Sequence, residues 1–403
     1  MTERHPAART VLYVLDTLGL SGRTKGFIDL ALSLDPARYR PVFCSLGEES
    51  SALADRLRER AVPIEVAPIR PGLRLDGVRM LAALLRRHCA AVVHPVNPRP
   101  MLLAGLAARL LGVPALGSLS AFACQVPDRE YRFLPQELVN RGPRSALRNQ
   151  LMCRLLRRFV VLSEELGERF CRFTAEAAGP VRLIGYPALR ERMRVVGYGV
   201  DLAPHRAISA ADVAGLRARL GCGPDTVLVG SVGRLVEQKD YPTQLRAFAL
   251  AARAEPRLRM VLAGEGPLRG AIEVQALDLG ISDRISLLGH WTRVPELLRA
   301  LDVYVIASKF EPYGVALLEA KCAGRAIVAT SVNEIPRLLE DGATGLLVPP
   351  ESSEPMAGAF VRLARDDDFR RSLAENARVD AERRHSLGAV ATAYQGLYDE
   401  FLP

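Results

Sequence analysis

A chain of 403 residues, 49% of them hydrophobic, is too long for one ordinary core and can fill two. The formal charge of +9 comes with only 6% aromatics and with no zinc-finger, RNA-recognition or OB-fold signature, so nucleic acid is not the expected partner. No apolar run approaches the ~20 residues needed to span a bilayer, and the start Met1-Thr2-Glu3-Arg4-His5-Pro6 does not read as a signal peptide; the expected location is the cytoplasm.

In the first half, short apolar runs at 10–15, 41–44, 64–67, 91–95, 114–117 and 159–163 alternate with Leu/Ala/Arg segments of helical period such as 80–87 and 102–111. That alternation predicts an α/β domain, a parallel sheet with helices on both faces. After the first strand, Leu18-Gly19-Leu20-Ser21-Gly22 opens a helix. Its glycines either form a plain βα turn or let backbone amides approach a phosphate or an acceptor. Arg23 and Lys25 add local positive charge there. Residues 129–158 interleave eight arginines with Tyr131, Phe133 and several leucines. Such a segment reads either as a helix with a solvated Arg-rich face or as a contact for an anionic leaflet or a phosphorylated acceptor.

In the second half, 227–233 reads as a buried strand ending in Gly233, followed by Arg234 and, five residues later, Lys239. An Arg fork and a Lys point charge suit a pyrophosphate where no metal is present. Runs at 260–266 and 285–289 follow. The apolar run 303–307 then leads into Glu311, Gly314 and Glu319, which predicts one carboxylate in a strand-to-helix loop and one within the helix, both at the carboxyl edge of a sheet. Further runs lie at 326–330 and 341–348. Asp366-Asp367-Asp368, the only acidic cluster, sits between two helical patterns and reads as a cap of the second. Residues 388–401 form an amphipathic helical pattern. Seven scattered Cys without Cys-x-x-Cys predict reduced thiols, Cys322 reads as a buried small hydrophobe, and no metal is expected.

From about residue 227 to 349 the order of these motifs resembles the C-terminal domain of retaining, nucleotide-sugar-dependent glycosyltransferases of the GT-B fold, glycosyltransferase family 4. The resemblance implies two Rossmann-like domains facing across a cleft: an acceptor domain over residues 1–200 and a nucleotide-sugar domain over 201–385. A terminal helix, 386–403, crosses back to the first domain, whose closing strand ends at Asp201, with a polar linker running to Asp225. It also implies that Arg234 and Lys239 bind the donor diphosphate and that Glu319 holds the ribose hydroxyls. Glu311 would lie near the transferred sugar, with Gly19, Gly22, Gly233 and the backbone at Tyr313, Gly314, Val315, Ala316 and Leu317 meeting phosphates and sugar. Carboxylates accept from vicinal hydroxyls and cations neutralise a leaving diphosphate, so the residue types suit these roles.

The chain departs from the family pattern in two places. Many members carry a His after the strand at 114–117 that contacts the donor sugar, where this chain has Ser118-Leu119-Ser120; a serine hydroxyl can replace one hydrogen bond, and His94 on the preceding strand reads either as the nearest other substitute or as a satisfied core His. At Asn333-Glu334-Ile335-Pro336-Arg337, relatives usually have Gly and, past the Ile-Pro, a Glu. The expectation is a metal-independent, cofactor-free retaining hexosyltransferase, with UDP favoured over GDP as donor nucleotide. Its acceptor would be a polysaccharide or lipid-linked precursor, or a small molecule. A nucleotide-sugar epimerase of the same fold and a non-catalytic sugar-nucleotide binder are the other readings.

Overall fold

The computed structural model describes residues 8–19, 22–47, 52–69, 75–119, 142–311 and 313–402. The chain divides into two compact units, Met1–Gly199 with Leu387–Pro403, and Val200–Ser386. Both are α/β with parallel sheets.

The first unit carries β1 (Arg9–Leu15), β2 (Tyr39–Ser45), β3 (Ile64–Val66), β4 (Ala90–Pro95), β5 (Leu116–Ser118), β6 (Arg158–Val161) and β7 (Met193–Val195). They pair in the orders β3-β2-β1-β4 and β5-β6-β7. Single bridges, Val93 to Ala115 and Val96 to Ser118, continue one set into the other. The one sheet expected from the alternation is therefore interrupted between β4 and β5, because β5 is only three residues long and reaches its neighbour by isolated bridges. In β1 every residue after Arg9 is buried, as a strand covered on both faces requires.

The terminal helix Leu387–Asp399 belongs to this unit. Its Val390, Tyr394, Leu397 and Tyr398 share a core with Val11, Tyr13 and Phe43. At the helix end, Asp399 takes Arg38 at 2.7 Å and the Tyr39 hydroxyl at 2.5 Å. Of the Arg-rich stretch 129–158, residues 129–141 lie outside the described residues. Where it is described, its arginines serve their own unit: Arg154 donates to Leu183 O at 3.1 Å, Arg157 lies over the Phe401 ring and Arg158 pairs with Glu400. No described helix is long and apolar enough to cross a membrane.

The second unit carries β8 (Val227–Val232), β9 (Leu258–Ala263), β10 (Ile285–Gly289), β11 (Val303–Ile306), β12 (Ala326–Thr330) and β13 (Leu346–Val348), all parallel in the order β10-β9-β8-β11-β12-β13. Its core packs Val229, Phe248, Met260, Val305, Val328, Phe360 and Leu363. The stretch before β8, read from sequence as a polar linker, is instead part of this unit. The helix Ala210–Arg219 is fixed by Arg217, which donates to Asp302 at 2.9 Å, Ala300 O at 2.8 Å and Thr226 O at 2.6 Å. Asp366 caps the helix Asp367–His385 by accepting from Phe369 N at 2.9 Å, the role its position predicts.

Candidate active site

In the second unit the strand order reverses direction between β8 and β11: from β8 the chain builds outward through β9 and β10, then returns to place β11 on the other side. An open parallel sheet leaves a crevice at the carboxyl ends of two such strands, where the following loops turn apart. The motifs singled out above follow these two strands, Gly233 to Lys239 after β8 and Ser308 to Gly314 after β11.

The loop after β8 is shaped by its neighbour. Gly233 N donates to Ala263 O at 3.0 Å and Leu235 N to Glu265 O at 2.9 Å, so the two loops run in contact. A Cβ on Gly264 would stand 1.8 Å from Gly233 O, and one on Gly266 2.3 Å from Leu235 O; only glycine fits this approach. The result holds Arg234 exposed, its guanidinium without an ion pair or side-chain hydrogen bond among the described residues. Lys239 follows in a half-buried turn, and Asp240 then caps the helix Tyr241–Ala254.

Lys239 is not free. Its ammonium meets Glu311 Oε2 at 2.5 Å, joining the two loops across the switch point. Ser308 Oγ donates to the same carboxylate oxygen at 3.2 Å, and Glu311 Oε1 has no partner among the described residues. Glu311 is buried, with 8% of its surface exposed, so these contacts replace the water its carboxylate gives up. The sequence reading placed the cation on a diphosphate and the carboxylate on a sugar; the structure brings the two side chains together.

Gly314, at φ +88, ends the loop in a left-handed turn and starts the helix Val315–Cys322. Among the described residues no side chain caps this helix, which leaves its first-turn amides at Val315, Ala316 and Leu317 suited to an anion. Glu319 is half-buried one turn further on. Both carboxylates act on the Tyr304 hydroxyl in β11, which burial first, and then Glu311, Tyr241 and Glu319 in that order, hold well above its ordinary range. Two contributors were given no site role from the sequence: Ser308, and Asn333, noted there only as a departure from the family pattern, whose Oδ1 accepts from the Glu311 amide at 3.0 Å.

In the first unit the expected sugar contacts are corrected. His94 is fully buried, with Nδ1 2.7 Å from the Tyr398 hydroxyl and Nε2 2.7 Å from Ser118 Oγ; Ser118 in turn lies 3.2 Å from the Tyr394 hydroxyl. Their polar atoms are spent on each other and on the terminal helix, leaving neither side chain for a ligand. Burial pushes the His94 imidazole down to about 3, so it is neutral near pH 7. Ser120 lies outside the described residues. Gly19 follows β1 and Gly22 begins the helix Gly22–Leu32, at the switch point of this sheet between β1 and β4. Among the described residues no group of three or more His, Cys, Asp or Glu is placed to hold a metal ion.

Residues 215–380, most of the second unit, match the family model for glycosyl transferases group 1. The chain is 28% identical to an alpha-D-kanosaminyltransferase of Streptomyces kanamyceticus, over 80% of this chain and 78% of that protein. It is 36% identical to a D-inositol 3-phosphate glycosyltransferase of Saccharomonospora viridis over 55% of this chain, a match spanning only 53% of that relative. In fold it is similar to Anabaena Alr3699/HepE, solved in complex with UDP, with a TM-score of 0.79 over 97% of this chain and 100% of the other at 18% identity.

Proposed function

We propose, for a chain whose second unit is a group 1 glycosyltransferase domain within a GT-B fold, that it transfers a hexose-type sugar from a nucleotide diphosphate sugar with retention of configuration. The observation that carries this reading is the Lys239–Glu311 pair at the switch point, flanked by exposed Arg234 and by the uncapped start of the helix Val315–Cys322. A diphosphate laid there meets two cations and a helix N-terminus, and so leaves as a stabilised anion. Glu319, on the helix, would accept from the ribose hydroxyls. Glu311, in the loop, would face the transferred sugar.

In this reading Lys239 changes partner. Without donor its charge is balanced by Glu311, and with donor it is shared with the diphosphate, freeing Glu311 Oε2 for sugar hydroxyls. No side chain in the second unit is assigned as general base; the acceptor proton would pass to an oxygen of the departing diphosphate as the new glycosidic bond forms on the face it leaves. UDP is the favoured nucleotide, with GDP next, supported by the UDP complex of the fold neighbour. The acceptor proposed is a polysaccharide or lipid-linked precursor, bound by the first unit, and transfer to a small molecule is the alternative.

The test is incubation with UDP-glucose, UDP-galactose, UDP-N-acetylglucosamine and GDP-mannose without acceptor, following nucleotide release and the anomer of the freed sugar by NMR. Slow release of UDP with the α-anomer first supports the reading. Interconversion of two UDP-sugars without release would make it an epimerase, and binding without release a non-catalytic binder.

A further inference from the structure

The loop that carries Glu311 is held from both sides. From the β8 side, Gln238 Nε2 donates to Phe310 O at 2.8 Å and Gln238 O accepts from Lys309 N at 2.9 Å. From the β12 side, Thr330 Oγ1 donates to Ser308 O at 2.7 Å and Asn333 Oδ1 accepts from Glu311 N at 3.0 Å. Only the last of these grips the backbone of the residue that bears the carboxylate.

Asn333 takes an unusual conformation to do so. Its φ of +44 lies in the left-handed region, which costs a residue with a Cβ on the order of 1 kcal/mol; Asn is among the few that visit it. The turn sets the amide side chain against the β11 loop, just before the short helix Ile335–Leu338, whose Ile335 and Leu338 close on Gly314.

We propose that Asn333 is the positioning residue for Glu311. Fixing the Glu311 amide sets its Cα, so that Oε2 meets Lys239 and Ser308 while Oε1 stays open. It also takes the Glu311 N–H out of the ligand's reach, so the donors offered to a ligand begin beyond residue 311. The catalytic consequence rests on the proposed role of Glu311 beside the transferred sugar; the positional claim does not.

Asn333→Gly is the informative variant, because glycine accepts φ +44 without penalty and deletes only the acceptor. Expected is about a tenfold fall in UDP release from UDP-glucose, since misplacing one reacting group by a fraction of an ångström costs this much or more. UDP affinity should not fall, and the melting temperature should drop by no more than the loss of one hydrogen bond allows, because the change adds no strain. Asn333→Asp, whose carboxylate can accept from the same amide, should regain most of the rate. In a Glu311→Gln background Asn333→Gly should add less than about twofold, the non-additivity of residues acting through one group. Equal losses in both backgrounds would overturn the proposal. So would a crystal structure of Asn333→Gly with the Lys239–Glu311 pair unmoved, a result that needs no substrate. If Glu311→Gln leaves UDP release unchanged, the role assigned to Glu311 falls, and the crystal comparison still decides whether Asn333 holds it in place.

Discussion

His94 Nδ1 lies 2.7 Å from the hydroxyl of Tyr398, a residue 304 positions later on the terminal helix. The same hydroxyl is 2.9 Å from that of Tyr13, and Ser118 closes the set on the other ring nitrogen. The helix is thus held onto the first sheet by a buried polar chain as well as by apolar packing. A buried chain of this kind stabilises only while every member keeps its partner.

This makes stability depend on pH with a definite sign. The folded His94 is pushed down to about 3 by burial, while unfolded His titrates near 6.5. Below pH 6.5 the unfolded chain binds a proton that the folded one refuses, so the contribution is fully present above that pH and is lost as pH falls toward 3. Urea unfolding from pH 7 to pH 4 should show the wild type losing up to ~1.4 kcal/mol per pH unit more than His94→Asn, the slope of one proton. Parallel pH profiles for the two proteins would show that His94 is not held neutral.

Much of the fold was legible because parallel strands covered on both faces read as unbroken apolar runs. The runs at 10–15, 227–233, 303–307 and 326–330 fall on β1, β8, β11 and β12 within a residue or two. The candidate site was legible in its residue types and in their place after the strands. What was not legible is side-chain pairing across long separations. A sugar contact and a satisfied core His were both open readings of His94 from sequence; its partners, Ser118 and a tyrosine near the chain end, are what decide for the core. The Asn333 contact to Glu311 was hidden for the same reason: it joins the loops after β11 and β12, whose proximity depends on strand order rather than on local pattern.

Arg234→Ala and Lys239→Ala should separate catalysis from stability. Both remove a cation from the proposed diphosphate site, and loss of one such contact costs ~10²–10³ in turnover. Arg234 is exposed and unpaired among the described residues, so its variant should keep the wild-type melting temperature. Lys239→Ala leaves the buried Glu311 with Ser308 alone and should lower it. Scanning calorimetry and UDP release from UDP-glucose measure the two effects; unchanged turnover in both variants would remove the diphosphate assignment.

Excess chelator should leave activity intact, because the two cations and the amides at the start of the helix Val315–Cys322 supply the charge stabilisation a divalent ion would otherwise give. Turnover is measured before and after EDTA, then with added manganese or magnesium. Complete loss restored by the metal would contradict the proposed site.

The two carboxylates should respond in opposite directions to the same substitution. Glu319→Gln keeps the shape of a ribose acceptor but removes its charge, worth ~1.5–3 kcal/mol in a charge-assisted hydrogen bond, so affinity for UDP should fall. Glu311→Gln breaks the 2.5 Å pair with Lys239 and releases the ammonium to the diphosphate. UDP should therefore bind at least as tightly as to the wild type, and up to about fivefold more tightly if the lost pair was worth ~1 kcal/mol, while transfer falls. Calorimetric titration of both variants with UDP decides the matter. Weaker UDP binding by Glu311→Gln, or none lost by Glu319→Gln, would mean that Lys239 does not exchange Glu311 for the diphosphate or that Glu319 does not reach the ribose.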